Sequence, residues 1–235
     1  MFKAVLFDLD GTLLNIDMDV FLGHYFKKMQ EIAVKEGFPE DSGIVERIFK
    51  STGVMIDNRD PQSSNEEVFM QDFLNSWQYP KEQVQAFFNK FYEQGFPQLR
   101  SYCQPFPGIP EMMENLFSRD LKVIIATNAV FPMTALQQRL DWAGVGHFNY
   151  DLITSYELMH FCKPHQEYYE EITEQIGVDP KDCLMVGNDK GEDLPAGKVG
   201  MKTFLVEDML IDNGSDLQPD WSGSLQEFLA FMKKL

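Results

Sequence analysis

Apolar and polar positions divide this chain into three stretches with different periods. Residues 2–7 are almost continuously apolar and end in Phe7-Asp8-Leu9-Asp10-Gly11-Thr12-Leu13. A short apolar run without alternation predicts a strand buried on both faces, as in a parallel sheet. From about residue 16 to 104 the period becomes helical: Phe69, Phe73 and Trp77 recur at four-residue spacing, and Val84, Phe87, Phe88 and Phe91 mark another apolar face. Breakers at Gly37-Phe38-Pro39, at 57–61 and at Tyr79-Pro80 cut this stretch into several helices, and no strand is predicted within it. After the punctuation Pro105-Phe106-Pro107-Gly108-Ile109-Pro110, helical and strand patterns alternate. Helices near 109–119, 132–143, 165–176 and 193–199 precede apolar runs at 123–126, 150–153, 183–186 and 203–206, and a helix at 224–234 closes the chain. Such alternation predicts an α/β fold, a parallel sheet with helices on both faces. The helical stretch is then an insertion, so the expected organisation is a core of 1–15 with 105–235 and an all-helical cap of 16–104.

Composition narrows the function. The 235 residues suffice for one large domain or two small ones. With 44% hydrophobic and 13% aromatic residues, 20 of them Phe, a substantial core is expected. The net charge of −17 supplies no basic stripe for nucleic acid or for an anionic membrane. Three unpaired cysteines, Cys103, Cys162 and Cys183, fit a reducing compartment rather than a disulfide framework. The four histidines form no H-x-x-x-H pair, which argues against a zinc site. Asp8 and Asp10 interrupt the first apolar run, so it does not read as a signal peptide, and no apolar window reaches the ~18 residues of a membrane span. A soluble cytoplasmic protein is expected.

Ligands of such folds bind beyond the carboxyl ends of the strands. Asp8 follows the first predicted strand, Thr127 and Asn128 follow 123–126, Asp189 follows 183–186, and Lys163 lies a loop's length after 150–153. If those strands are neighbours, carboxylates, a hydroxyl and an ammonium meet on one rim. Two carboxylates as close as Asp8 and Asp10 repel, and a divalent cation is the simplest compensation. A carboxylate can also attack phosphorus to form an acyl phosphate. The roles follow: Asp8 as nucleophile, Mg²⁺ on Asp8 and Asp189, and Lys163 as compensating charge. Thr127 and backbone N–H groups after Asp8, beginning with Leu9, would bind phosphoryl oxygens, and Asp10 would be acid and then base.

These residues resemble the haloacid dehalogenase superfamily of aspartate-nucleophile phosphatases. Asp8-Leu9-Asp10-Gly11-Thr12-Leu13 is similar to its first motif, Ala126-Thr127-Asn128 to its second, Lys163-Pro164 followed by Tyr168-Tyr169 to its third, and Val186-Gly187-Asn188-Asp189 through Asp193 to its acidic fourth. The position and helical character of 16–104 resemble the phosphoglycolate phosphatase and β-phosphoglucomutase group. The resemblance implies a Rossmann-like core and Mg²⁺ at Asp8, Asp10 and Asp189. It also implies phosphate contacts from Leu9, Thr127, Asn128 and Lys163, with Thr12, Asn188 and Asp193 supporting them. The expected partner is a small phosphorylated substrate, and the expected assembly a monomer or weak homodimer.

Two departures stand out. Asn188 separates Gly187 from Asp189. One alignment makes Asp189 the metal ligand and Asp193 its support; the other puts Asn188 in the ligand position. The first is preferred. Lys190 stands where a small residue is common, and a solvent-facing role is preferred for it, as for Arg59 in its polar loop. The aromatic faces of 16–104 are expected to be core rather than a substrate cage. Two alternatives stay open beside the phosphatase: a phosphomutase of the same superfamily, which would call for cationic groups in the cap, and a non-catalytic binding or regulatory protein on this fold.

Overall fold

In the computed structural model, which describes residues 2–75, 77 and 79–235, the first apolar run is strand β1 (Ala4–Phe7), buried at all four positions. Residue 1 of the predicted core and residues 76 and 78 of the helical stretch lie outside the described residues. A turn at Gly11 leads to the short strand β2 (Leu14–Ile16). Four helices follow: α1 (Met18–Lys35), α2 (Ile44–Asp57), α3 (Asn65–Asn75) and α4 (Lys81–Lys90). The carboxylate of Asp17 starts α1 by accepting the backbone N–H groups of Asp19 and Val20, both at 3.1 Å. A π-turn (Phe91–Gly95) and a 3-10 turn (Phe96–Tyr102) continue into β3 (Cys103–Pro105). Then come α5 (Ile109–Phe117), β4 (Lys122–Ile125), α6 (Met133–Trp142), β5 (Leu152–Ile153), α7 (Gln166–Ile176) and β6 (Cys183–Gly187). A 3-10 turn (Leu194–Val199), β7 (Lys202–Val206), β8 (Trp221–Gly223) and α8 (Leu225–Met232) complete the chain.

Six strands form one sheet in the order β5-β4-β1-β6-β7-β8, and every pairing is parallel. This is the predicted Rossmann-like α/β core. β1 lies between β4 and β6, with Phe7 level with Ile125 on one side and Val186 on the other. The residues that follow all three strands therefore leave the sheet side by side, which the sequence reading had to assume.

The alternation within β1 divides the interior. Val5 and Phe7 join the larger apolar cluster, which continues into α1–α4 and α8, while Ala4 and Leu6 face the cluster built on Tyr168, Tyr169 and Ile172 of α7. Phe228 of α8 closes the first face against Phe7 and Phe204, with ring centroids 6.4 Å and 5.5 Å away.

Three local expectations are corrected. No strand was expected between 16 and 104, yet Ile16 pairs with Cys103 and Asn15 with Gln104 in a two-stranded antiparallel ribbon. Strands of three residues are too short to show a period, and only the closure of the helical stretch onto itself reveals them. β8 is a third strand that the sequence reading lacked, because Trp221-Ser222-Gly223 is half polar and lies on the sheet edge. The predicted helix at 193–199 is a 3-10 turn, in keeping with Pro195 and Gly197 inside it.

Replacing Phe228, which is fully buried, by Ala should cost about 3–5 kcal/mol, read as a lower urea midpoint with an unchanged slope.

Candidate active site

The site is built at the carboxyl end of the sheet, where β1 turns outward. The N–H of Asp8 still belongs to the sheet, donating to Val186 O at 2.8 Å. The chain then folds back: Leu13 and Leu14 both donate to Leu9 O at 2.9 Å, and Gly11 donates to Leu14 O at 2.8 Å. Gly11 has φ +81°, and a Cβ there would lie 2.4 Å from Asn188 Nδ2. Both facts require glycine, and together they press the Asp8 loop onto the end of β6.

Lys163 is the centre of the polar network. Its Nζ donates to Asp8 Oδ1 at 2.9 Å and to Asp193 Oδ1 at 2.6 Å, and the residue is 1% exposed. Burial works against its charge, but Asp193 and Asp8 outweigh it and hold the ammonium well above the ordinary lysine range. Its peptide bond to Pro164 is cis. Asn128 braces this loop: its Oδ1 accepts the Lys163 N–H at 3.2 Å and its Nδ2 donates to Glu192 Oε1 at 3.0 Å. Thr127 is held through its carbonyl, which accepts from Thr154 Oγ1 and Tyr168 OH, both at 2.7 Å. Leu9 is fully buried, and its carbonyl is taken by the N–H groups of Leu13 and Leu14.

The fourth motif splits its two candidates. Asn188 spends its amide internally: Oδ1 accepts from Thr12 Oγ1 at 3.1 Å and Nδ2 donates to Met209 O at 2.6 Å. The Thr12 hydroxyl also lies 3.5 Å from Asp8 Oδ2. Asp189 Oδ1 accepts the N–H groups of Gly191 (2.7 Å) and Glu192 (3.0 Å) and Asn213 Nδ2 (3.1 Å). Asp193 Oδ2 accepts the Asp189 N–H at 2.9 Å. Lys190 is not free in solvent; it pairs with Asp212 at 2.5 Å.

Sequence reasoning missed Arg139 and Glu192. Arg139, on α6, is fully buried, pairs with the Asp10 carboxylate and lies 4.3 Å over the Phe131 ring. The available signal was an arginine on the helix face that also carries Leu136 and Leu140. Asp10 Oδ1 is buried without a hydrogen-bond partner. Burial, countered by Arg139 and reinforced by Asp8, raises the Asp10 carboxyl above its ordinary range. Burial likewise pushes Glu192 up to about 7, against Lys163 and with Asp189.

Asp8, Asp10, Thr127, Asn128, Asp189 and Glu192 line one cavity of about 360 Å³, reached on its other side by α1–α4. Among the described residues no three Asp, Glu, His or Cys side chains form a ready-made metal cluster. The donor set nevertheless fits Mg²⁺, which needs only one or two carboxylates beside water and substrate oxygens. The buried, unpartnered Asp10 Oδ1 and the surplus of carboxylates over cations at this rim call for a cation.

A model of the family described as haloacid dehalogenase-like hydrolase matches residues 2–200. The chain is 27% identical over 205 residues to a phosphoglycolate phosphatase of Aquifex aeolicus, covering 87% of this chain and 84% of the relative. It is 26% identical over 246 residues to a glyceraldehyde 3-phosphate phosphatase of Methanocaldococcus jannaschii, covering 100% and 99%. Its fold matches the crystal structure of a haloacid dehalogenase-type phosphatase from Thermococcus onnurineus with a TM-score of 0.58 at 21% identity, over 98% and 97% of the two chains.

The raised Glu192 carboxyl gives a pH signature. Its neutral form is favoured by folding, so its contribution is complete below the unfolded value near 4.5 and is lost as pH rises through about 7. In chelator, Glu192→Gln should match the parent near pH 4 and exceed its stability by up to about 3 kcal/mol above pH 7, measured by denaturant titration at each pH.

Proposed function

The chain belongs to the haloacid dehalogenase-like hydrolases, and from that membership we propose that it is a Mg²⁺-dependent phosphatase of small phosphorylated metabolites, acting through an aspartyl-phosphate on Asp8. The observation that carries this reading is the buried Lys163 ammonium on Asp8 Oδ1, behind the carboxylate floor of the cavity. That contact orients Asp8 through Oδ1, the Thr12 hydroxyl lies 3.5 Å from Oδ2, and the residue lines the cavity.

In this reading Asp8 attacks phosphorus, the bond to the leaving oxygen breaks, and Asp10 gives that oxygen its proton. Burial favours the protonated form of Asp10 that this step requires. Water then attacks the acyl phosphate, its proton returns to Asp10, and inorganic phosphate leaves as Asp8 is restored. The Thr127 hydroxyl and the N–H groups of Leu9 and Asp10 bind the equatorial oxygens. Lys163 balances charge on Asp8 and phosphate, and Asp193 holds Lys163. Asp8 and Asp189, with Asp10 beside them, would hold Mg²⁺, which offsets the negative charge of nucleophile and phosphoryl group when bound. Asp189 is favoured over Asn188 because both ends of the Asn188 amide are already engaged.

Residues 16–104 would act as a cap that excludes water. Its docking supports this: Arg59 pairs with Glu167 and lies 3.1 Å from His165 Nδ1, so it is a cap-to-core tie rather than a free solvated charge. Asn65 Nδ2 donates to Ala129 O at 3.1 Å and Phe161 O at 3.2 Å. A reducing, cytoplasmic setting suits the three buried thiols, each pushed up to about 12 by burial. Among the described residues no helix is long and apolar enough to cross a membrane.

Asp8→Asn should abolish phosphate release, because an amide cannot form the acyl phosphate; retained turnover in the variant would refute the nucleophile. Asp189→Ala should raise the Mg²⁺ concentration needed for half-maximal activity by about ten-fold or more, well beyond the effect of Asn188→Ala. The reverse order would move the ligand role to position 188.

A further inference from the structure

The cavity has two unlike halves. Its floor is the carboxylate rim. Its roof is aromatic: Phe26 from α1, Phe49 from α2, Phe69 from α3, Phe88 from α4 and Tyr92 beyond it. The helical stretch therefore uses its aromatic residues in two ways. Phe73, Phe87, Phe91 and Phe96 are fully buried core. Phe26 and Phe49 instead face the cavity with ring centroids 4.4 Å apart, and Phe49 remains 55% exposed. A large aromatic side chain left open on the wall of a catalytic cavity is a surface awaiting cover.

The charges of this space point the same way. Among the described residues that line it there is no lysine, arginine or histidine. Lys163 and Arg139 lie behind the rim, already paired with Asp8, Asp193 and Asp10. A carboxylate or second phosphate on the leaving group would be desolvated against the roof with no cation to meet it, and would lie in the field of the rim carboxylates. A neutral planar group would lose nothing electrostatic, would gain apolar burial, and could stack offset or edge-on against Phe26 and Phe49. Thr52, one turn beyond Phe49, and Gln85, one turn before Phe88, add uncharged hydrogen-bonding groups to the same wall.

Resting on the phosphatase reading of this site, we propose that the substrate is a phosphate monoester whose leaving group is uncharged and carries a planar ring, held by the Phe26–Phe49 wall with Thr52 and Gln85 at the ring's polar edge. Esters whose leaving group bears a carboxylate or a second phosphate are selected against.

The test separates binding from turnover. Asp8→Asn protein in Mg²⁺ is titrated calorimetrically with a nucleoside 5′-monophosphate, phenyl phosphate, 2-phosphoglycolate, pyrophosphate and inorganic phosphate. The unsubstituted enzyme is assayed on the same esters and on glycerol phosphate. At least one ring ester should bind about ten-fold or more tighter than the two anionic-tailed compounds. Whether the nucleotide or the aryl ester wins reports how far the ring lies from phosphorus. Phe49→Ala, at a position 55% exposed and outside the buried core, should lower the ratio of ring-ester to glycerol phosphate kcat/KM by about five-fold.

Tighter binding of 2-phosphoglycolate or pyrophosphate, or ring esters no tighter than inorganic phosphate, would overturn the proposal and leave the phosphatase reading standing. Tight ring-ester binding with no ester turned over would do the opposite. An unchanged ratio in Phe49→Ala would remove the wall from the selectivity.

Discussion

The ammonium of Lys163, buried between Asp8 and Asp193, governs the arrangement of this rim. A lysine out of water is tolerated only where opposite charges meet it in good geometry, and here two carboxylates do so at 2.9 Å and 2.6 Å. Each partner comes from a different strand end, Asp8 from β1 and Asp193 from the turn after β6. The contact thus depends on β1 lying between its neighbours in register. It also depends on what holds the lysine's own loop. Asn128 accepts the Lys163 N–H, and Asp193 uses its other oxygen to hold the Asp189 N–H. Loss of either the Asp8 or the Asp193 carboxylate would leave the buried ammonium with a single ion-pair partner.

Around that contact the site is short of positive charge. Lys163 and Arg139 are both committed to carboxylates, while Asp10, Asp189 and Glu192 also border the cavity. Burial raises Asp10 and Glu192 toward their neutral forms, which lessens the repulsion without removing it. A dianionic ester entering such a rim gains little from the protein's own cations. The same surplus that disfavours a bare phosphate favours a hard divalent cation, and the chain-wide charge of −17 matters less than these few groups.

How much of this was legible in the sequence depends on the range of the interaction. Strand ends and their chemistry are local, so Asp8, Thr127, Lys163 and Asp189 could be read from apolar runs that stop at polar residues. Adjacency of strands is not local, and only the sheet order reveals that β4, β1 and β6 are neighbours. Arg139 escaped notice because its partner Asp10 is 129 residues away and its helix reads as an ordinary amphipathic one. The short ribbon of β2 and β3 has no period to detect, yet it joins the two ends of the helical stretch. The aromatic positions of that stretch all read as core, since four-residue spacing marks a buried face and cannot say whether protein or ligand fills the space opposite.

The carboxylate rim and the inserted helices meet in one segment of chain. Residues 159–167 contain Lys163, and they also receive the inserted helices: Met159 O accepts the Asn65 N–H at 2.8 Å, Phe161 O accepts the Asn65 amide, and His165 and Glu167 hold Arg59. His165 Nε2 lies 2.9 Å from Ile56 O at the end of α2, the helix that carries Phe49 and Thr52 into the cavity. The aromatic wall is therefore referenced to the same backbone that positions the lysine. A motion of the helices that opened the cavity would have to release ties on both sides of Lys163. The helical side of the cavity and the Lys163–Asp8 contact are thus held by one loop.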